Sequence, residues 1–192
     1  MLLLLHGVAR ADDDPGDDDS SAPSKKQAFL AEKAERKAVH ARQPASACGR
    51  FCLTVRNAWT HEVLPVDPER PPPTHTVDEL LRDHFTNQAT RMDPRLAAVI
   101  VKAAQKFKTD LIEIVSGYRA PKYNLMLRKK GHAVARDSQH PLGNAVDFRL
   151  AGVRTRKLYQ FVRSLRVGGV GYYPHNGFVH ADTGRVRTWK GE

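Results

Sequence analysis

Apolar positions along the chain recur with two different periods, and together they predict a domain of helices and strands over residues 51–192. Alternating positions predict an antiparallel hairpin from segments 51–56 and 61–66, and further strands at 111–115, 145–150, 169–173, 177–180 and 185–189. Helical spacing predicts helices at 76–85, 94–108, 121–130 and 154–165. Since helices come early and strands cluster late, the fold class expected is α+β, an antiparallel sheet with helices packed on one side.

Two of the predicted helices carry start signals in their sequences. Thr76-Val-Asp-Glu79 has the capping-box arrangement, which predicts a helix that continues to about Phe85. Asp93-Pro94 supplies an N-cap carboxylate followed by a proline at the first helical position. Both helices are therefore expected to begin at these residues.

The first 50 residues differ in composition from the rest of the chain. Residues 1–11 contain Leu2 to Leu5 and then Ala9-x-Ala11, which is typical of the end of an export signal, although the usual charged start is missing. The alternative is a cytosolic protein with an apolar end. Residues 12–50 are acidic at first and then charged throughout, which predicts a disordered linker with a short helix. The leucine run is too short to span a membrane.

The net charge narrows the classes of partner. The whole chain carries +10, and without the six aspartates of segment 12–19 the charge rises to +16. Such a surface attracts polyanions, including nucleic acid, anionic lipid and the carboxylate-rich bacterial cell wall, or it serves only solubility. Because no basic run is interleaved with stacking aromatic residues, nucleic acid is not the expected partner.

The chain has two cysteines, Cys48 and Cys52. In an exported protein, this spacing suits a local disulfide between the two cysteines. In a reducing compartment, the two cysteines would be free thiols. A cysteine zinc site is less favoured, because no second cysteine pair exists to complete four ligands.

A possible metal centre is indicated by the segment that ends in Asp147. His140 precedes a turn marked by Pro141 and Gly143, and Asp147 lies in the following strand, so the turn can bring an imidazole and a carboxylate together. His180, on a later strand, is the natural third ligand, and three protein ligands are what a catalytic zinc ion takes. Each of these residues alone also has an ordinary structural explanation.

Three motifs in the same order resemble the zinc D-Ala-D-Ala carboxypeptidase superfamily, and in particular its murein endopeptidase K-like branch. These are Ser116-Gly-Tyr-Arg119, then the pattern S-x-H-x-x-G-x-A-x-D over residues 138–147, and then residues 168–184, which contain Gly177-Phe-Val-His180-x-Asp182. The resemblance covers roughly residues 51–189. It implies a hedgehog/DD-peptidase-like fold and one Zn²⁺ per chain, held by His140, Asp147 and His180.

The resemblance also implies roles for residues around the metal. Arg119 is similar in place to an arginine that stabilises an oxyanion or holds a carboxylate; a structural salt bridge is the alternative. Ser138 either binds substrate or caps the turn. Many relatives carry a glutamate as general base three residues before the last histidine, where this chain has Gly177. Asp182 is the expected substitute, with orientation of a ligand imidazole as an equal alternative; His175 is a weaker candidate.

The function implied is that of a zinc metallopeptidase of the periplasm or cell envelope that hydrolyses peptide stems or cross-links of bacterial peptidoglycan. An endopeptidase is favoured, and a D,D- or L,D-carboxypeptidase that trims stem peptides is the alternative within the class. From another class, a non-catalytic zinc-containing module that binds the cell wall stays open, because Gly177 cannot perform proton chemistry.

Overall fold

A single mixed sheet forms the framework of the described part of the chain. The computed structural model describes residues 52–130, 135 and 137–191. The strands are β1 (Leu53–Asn57), β2 (Val63–Val66), β3 (Leu111–Ser116), β4 (Ala145–Leu150), β5 (Gly169–Tyr173), β6 (Phe178–Asp182) and β7 (Arg187–Lys190). Their order across the sheet is β2-β1-β3-β4-β6-β5-β7.

Four α-helices and a short 3₁₀ turn accompany the sheet in the described residues. The helices are α1 (Thr74–Leu80), α2 (Pro94–Phe107), α3 (Pro121–Lys129) and α4 (Thr155–Ser164), and the 3₁₀ turn is His140–Leu142. The α+β class is therefore confirmed.

The expectation of a purely antiparallel sheet is wrong, because two of its strand pairs are parallel. β1 and β2 form the predicted antiparallel hairpin, but β1 pairs in parallel with β3, and β5 with β7. Because β2 runs antiparallel to β1, it ends at the end of the sheet where β1 began, and the chain then passes through α1 and α2 before β3 starts at that same end on the other side of β1. After β6 the chain passes the end of β5, and β7 then pairs with the edge of β5 that faces away from β6.

The hydrophobic core lies between one face of the sheet and helices α2 and α4. Alternate strand residues point into it, including Ile112, Ile114, Val146 and Phe148, all at most 1% exposed. Residues between them, such as Asp147, therefore point to the opposite face, because successive side chains of a strand alternate. This second face carries the polar residues of the candidate site, including Asp147 and His180.

Helix α1 begins and ends earlier than the capping box predicted. Its N-cap is Pro73, with no side-chain hydrogen bond at the cap, and Thr76 lies inside the helix. The three prolines 71–73 hold the preceding chain extended, so the helix begins directly after them. It ends before Phe85 because the Asp83 carboxylate accepts hydrogen bonds from the backbone N–H groups of Phe85 and Thr86, which form a turn instead. For α2, by contrast, the predicted N-cap Asp93 is confirmed.

Several sequence predictions concern residues outside the described part. They are the export signal of residues 1–11, the linker of residues 12–50 and the state of Cys48. Cys52 is disulfide-bonded. In the described part, no helix combines the length and the hydropathy that a membrane span requires.

Candidate metal centre

Three elements bring His140, Asp147 and His180 to one point on the polar face of the sheet. Asp147 of β4 and His180 of β6 lie directly opposite each other in the antiparallel pairing of these strands. Because opposite residues share a face, their side chains are neighbours. His140 reaches them from the 3₁₀ turn. All three residues are largely buried, at 3–6% exposure.

The spacing of the potential ligand atoms suits a tetrahedral metal ion. His180 Nδ1 lies 2.8 Å from Asp147 Oδ1, His140 Nε2 lies 3.3 Å from Asp147 Oδ2, and the two histidine nitrogens are 3.2 Å apart. Two ligands at about 2.0–2.1 Å from a tetrahedral zinc ion are about 3.3 Å from each other. The residues therefore fit a metal ion with little rearrangement.

The turn that carries His140 depends on Gly143. Gly143 has φ of 71°, a left-handed conformation that favours glycine. A Cβ at this position would also overlap the carbonyl oxygen of Arg91. The Gly143 carbonyl accepts a hydrogen bond from the Asp93 N–H at 2.9 Å, which ties the turn to the start of α2.

Hydrogen bonds fix the orientation of both imidazole rings. Nδ1 of His140 is 2.6 Å from the Gly117 carbonyl oxygen and donates to it, which leaves Nε2 with its lone pair towards the site. Nε2 of His180 donates to Oδ2 of Asp182 at 3.1 Å, which leaves Nδ1 towards the site. Such partners select the tautomer of a ligand histidine and hold its ring in place.

Asp182 lies on the far side of His180 from Asp147, and both of its oxygens are engaged. Oδ1 accepts the backbone N–H groups of Gly169 and Gly184, each at 2.9 Å. Arg187 donates to both oxygens, at 3.2 and 2.9 Å. The Asp182 side chain is fully buried. This placement does not suit the predicted general base, and it suits the other role considered for Asp182, orientation of His180.

The electrostatics of the cluster follow from burial and from the facing charges. Burial opposes the charge on Asp147, but the two imidazoles outweigh it and hold the pKa of Asp147 well below its usual range. Burial lowers the pKa of His140. For His180 burial acts in the same direction, but the hydrogen bonds to Asp147 and Asp182 outweigh it and raise the pKa. Burial likewise opposes ionisation of Asp182, and the hydrogen bonds from His180 and Arg187 nevertheless lower its pKa.

Arg119 lies beside the cluster, as predicted from the S-G-Y-R motif. Its Nη2 donates to Ser116 Oγ at 3.3 Å and to Asp147 Oδ2 at 3.5 Å, and its Nη1 to Asn124 Oδ1 at 3.5 Å. These are long contacts, and contacts of this length are weak. The guanidinium thus retains capacity to bind another anion or carbonyl.

The cluster opens into a cavity of about 790 Å³. The predicted residues Arg119 and Ser138 both line it, and so does Asp137, which is exposed. His175 is exposed and is not among the described lining residues. One wall is aromatic, because Tyr173 stacks on Phe178 with centroids 4.5 Å apart, and Trp189 lies 5.0 Å from the His180 ring.

Sequence reasoning missed Asp137, Arg187 and Trp189. The guanidinium of Arg187 lies over the Trp189 ring, 4.9 Å from its centroid, and both residues pair with glycines of β5. The sequence did carry a signal for Arg187 and Trp189, namely two glycines, Gly169 and Gly171, at alternate positions of a predicted strand. Glycine within a strand often marks the close approach of another group. A Cβ on Gly171 would lie 2.7 Å from the Trp189 ring.

Comparison with known proteins agrees with the earlier resemblance. A family model described as Peptidoglycan L,D-endopeptidase MepK, of the peptidase M15 group, matches residues 71–189. A protein of Haemophilus influenzae named Probable peptidoglycan L,D-endopeptidase MepK is 45% identical over 117 residues, which are 60% of this chain and 63% of that protein. The Peptidoglycan L,D-endopeptidase MepK of Escherichia coli K12 is 35% identical over 114 residues, 59% of this chain and 63% of that protein.

The matched segments thus span slightly less than two thirds of each relative's length. No solved structure matches this chain. The family model nevertheless covers more than half of the sequence, including the whole His140, Asp147 and His180 cluster. The chain therefore belongs to the M15 metallopeptidase family described as Peptidoglycan L,D-endopeptidase MepK.

Proposed function

We propose that this chain is a zinc-dependent endopeptidase that hydrolyses peptide cross-links of peptidoglycan. The observation that carries the proposal is the convergence of His140 Nε2, Asp147 and His180 Nδ1 at the floor of an open cavity, with separations that suit a tetrahedral ion. The names of the two relatives add the substrate class and favour a bond between an L- and a D-configured residue.

The donor set favours zinc among the common biological metals. Two imidazole nitrogens and one carboxylate oxygen are ligands that zinc takes readily, and a three-ligand set leaves one coordination position for the reaction. When bound, zinc polarises a peptide carbonyl and lowers the pKa of water, which makes hydrolysis feasible at neutral pH. The chain's contribution is the orientation of the ligands by Gly117 and Asp182.

Arg119 is proposed to bind the substrate. Its side chain is 12% exposed and lines the cavity next to Asp147. A guanidinium in this position can donate to the carbonyl oxygen on which negative charge develops, or to a carboxylate of the peptide stem. Ser138, which also lines the cavity, is proposed as a further hydrogen-bonding partner of the substrate.

The proton acceptor is proposed to be Asp137 rather than Asp182. Among the described lining residues, Asp137 and Asp147 are the carboxylates, and Asp147 belongs to the ligand set. Asp182 is buried and saturated with donors. The replacement Asp137→Asn is then expected to lower kcat while the metal stays bound, as measured by metal content and steady-state kinetics.

The place of action is proposed to be the periplasm or cell envelope, where the polymer lies. The basic charge of the chain would favour its association with an anionic wall. The competing functions are a carboxypeptidase and a non-catalytic binding module. The products that the chain forms from a cross-linked muropeptide, or the absence of products, distinguish these functions from the endopeptidase.

The decisive experiment is hydrolysis of purified cross-linked muropeptides, read by mass spectrometry, before chelation, after chelation and after return of one equivalent of Zn²⁺. We expect cleavage within the cross-link that disappears with the chelator and returns with zinc. Release of a terminal residue alone would instead establish the carboxypeptidase. No cleavage by protein that holds stoichiometric zinc would overturn the proposal in favour of the binding module.

A further inference from the structure

Four aromatic rings form an exposed group, here called the aromatic platform, that consists of Trp59, His84, Phe85 and Tyr123. Trp59 stacks on His84 with ring centroids 4.7 Å apart and planes 6° from parallel. Phe85 stacks on Tyr123 at 4.9 Å and 14°. The two stacks meet where Tyr123 packs edge-on against His84, and the Tyr123 hydroxyl lies 3.2 Å from His84 Nε2.

The outer ring of each stack faces solvent. Trp59 is 58% exposed and Phe85 is 53% exposed, although one face of each ring is covered by its partner. The solvent-accessible area must therefore come largely from the opposite faces and the edges. Large apolar groups grouped on a surface in this way commonly mark a binding site.

Buried polar residues hold the loops that carry the platform. Arg82 and Glu62 form an ion pair with both side chains 4% exposed, at 2.6 and 2.8 Å, which joins the β1–β2 loop to the chain after α1. Asn57 accepts the N–H of Trp59 at 2.9 Å and donates to the Leu80 carbonyl at 2.9 Å. A buried ion pair is costly to desolvate and is weak as a source of stability. Its position here keeps the ring-bearing loops in a fixed arrangement.

The platform adjoins the segment that carries Arg119, whose positive charge acts on both His84 and Tyr123. The Asp83 carboxylate, next to His84, accepts the Ala120 N–H at 2.6 Å, and the Leu81 carbonyl accepts the Tyr118 N–H at 2.7 Å. Arg119 lies between these two anchored residues and turns its side chain towards Asp147. Arg119, which lines the cavity, is therefore the point at which a polymer bound there would approach the platform.

We propose that the aromatic platform binds pyranose rings of the glycan strand that carries the peptide to be cut. One face of an N-acetylhexosamine ring presents C–H groups that stack on an aromatic face, while its hydroxyl and amide groups bind polar neighbours. Burial lowers the pKa of His84, so the ring beneath Trp59 is neutral at pH 7 and adds no charge to this surface. The inference rests on the proposed function for its substrate class.

The test measures binding and hydrolysis separately with the zinc-loaded full chain. Calorimetry with peptide-free glycan strands gives the affinity of the wild type, of Trp59→Ala and of Phe85→Ala. Stacking of this kind predicts an affinity loss of about two- to tenfold for each replacement. Trp59→Tyr should retain most of the affinity, because it keeps a ring on His84. Val63→Ala, which changes another exposed apolar side chain, is the control and should bind as the wild type does.

Hydrolysis is then compared on a cross-linked peptide dimer with and without its disaccharides. Trp59→Ala should lower kcat/KM by about two- to tenfold on the sugar-bearing dimer and leave the sugar-free dimer unchanged. An equal loss on both substrates would overturn the inference, because the rings would then serve the peptide or the fold. Absence of wild-type binding to glycan, or binding unaffected by both replacements, would overturn it as well. If the wild type cleaves neither dimer but binds glycan through Trp59, the proposed function fails and this inference stands.

Discussion

His180 and Asp182 lie two residues apart on β6, and the carboxylate of Asp182 accepts a hydrogen bond at 3.1 Å from the ring nitrogen of His180 that faces away from Asp147. Arg187 and two backbone N–H groups hold that carboxylate in turn. His180, Asp182 and Arg187 thus form a hydrogen-bonded series that holds the ring of His180, one of the three proposed metal ligands. These hydrogen bonds explain how the Asp182 carboxylate can be buried although it does not line the cavity.

Asp182→Ala is expected to weaken zinc binding by about 10–100-fold, because the His180 ring loses the partner that fixes its tautomer. Asp182→Asn should lose less, since an amide oxygen can still accept from Nε2. Competition with a chelator of known affinity measures both. Asp137→Asn, which changes a cavity carboxylate outside the ligand set, should bind zinc as the wild type does. Full zinc affinity in Asp182→Ala together with lost hydrolysis would identify Asp182 as the base after all.

His140→Ala is expected to abolish both metal binding and hydrolysis, because two protein ligands rarely hold zinc in competition with buffer. Metal content measured after dialysis should fall from one equivalent to near zero. The matched control is His175→Ala, which removes an exposed histidine on the β5–β6 turn. Its metal content and activity should stay unchanged; retention of zinc by His140→Ala would refute the ligand assignment.

The proximity of the three proposed ligands could be predicted from sequence because their motif is local and their strand pairing is regular. His140 and Asp147 are joined by one short turn, and strand alternation places Asp147 and His180 on one face once β4 and β6 pair. The start of α2 was equally predictable, since Asp93 and Pro94 act within a single turn. This helix cap and this short turn depend on residues that are close together in the sequence, so the sequence alone predicts them.

The sheet order and the supporting residues could not be predicted, because they depend on contacts distant in sequence. The parallel pairing of β1 with β3 joins residues separated by two helices. The hydrogen bonds that hold Asp182 come in part from Arg187 on β7 and Gly169 on β5, two strands whose places in the sheet the sequence did not predict. The platform likewise assembles Trp59, His84 and Tyr123 from three separate segments, and none of them carries a motif.

Gly143→Ala is expected to destabilise the fold and to weaken metal binding together. A positive φ costs an alanine about 1–2 kcal/mol, and here the new Cβ would also overlap the Arg91 carbonyl oxygen and displace the turn that carries His140. Gly152→Ala is the matched control, because Gly152 has φ of 72° with no atom within 4 Å of the new Cβ. Urea unfolding should show a larger loss for Gly143→Ala, and only this variant should lose zinc affinity. Equal losses in both would mean that the turn tolerates the methyl group.

Asp93 gives the fold a contribution that depends on pH. Hydrogen bonds from Arg95 lower the pKa of Asp93 from 3.8 to about 2, although burial acts in the opposite direction. Because the folded-state pKa lies below the unfolded value, the ionised form stabilises the folded state above pH 3.8, and this stability is lost as the pH falls towards 2. Asp93→Asn keeps an oxygen for the cap but loses the charge, and Asp93→Ala loses both.

At pH 7, Asp93→Ala should therefore lower the free energy of unfolding by about 1 kcal/mol, within the usual range for a lost N-cap. Asp93→Asn should be intermediate. Urea unfolding at pH 7, 5, 4 and 3 measures how far the wild type exceeds Asp93→Asn in stability, and that excess should be constant down to pH 5 and shrink between pH 4 and 3. An excess that stays the same at pH 3 would show that the cap acts through its geometry alone, because the charge on Asp93 would then contribute nothing to folding.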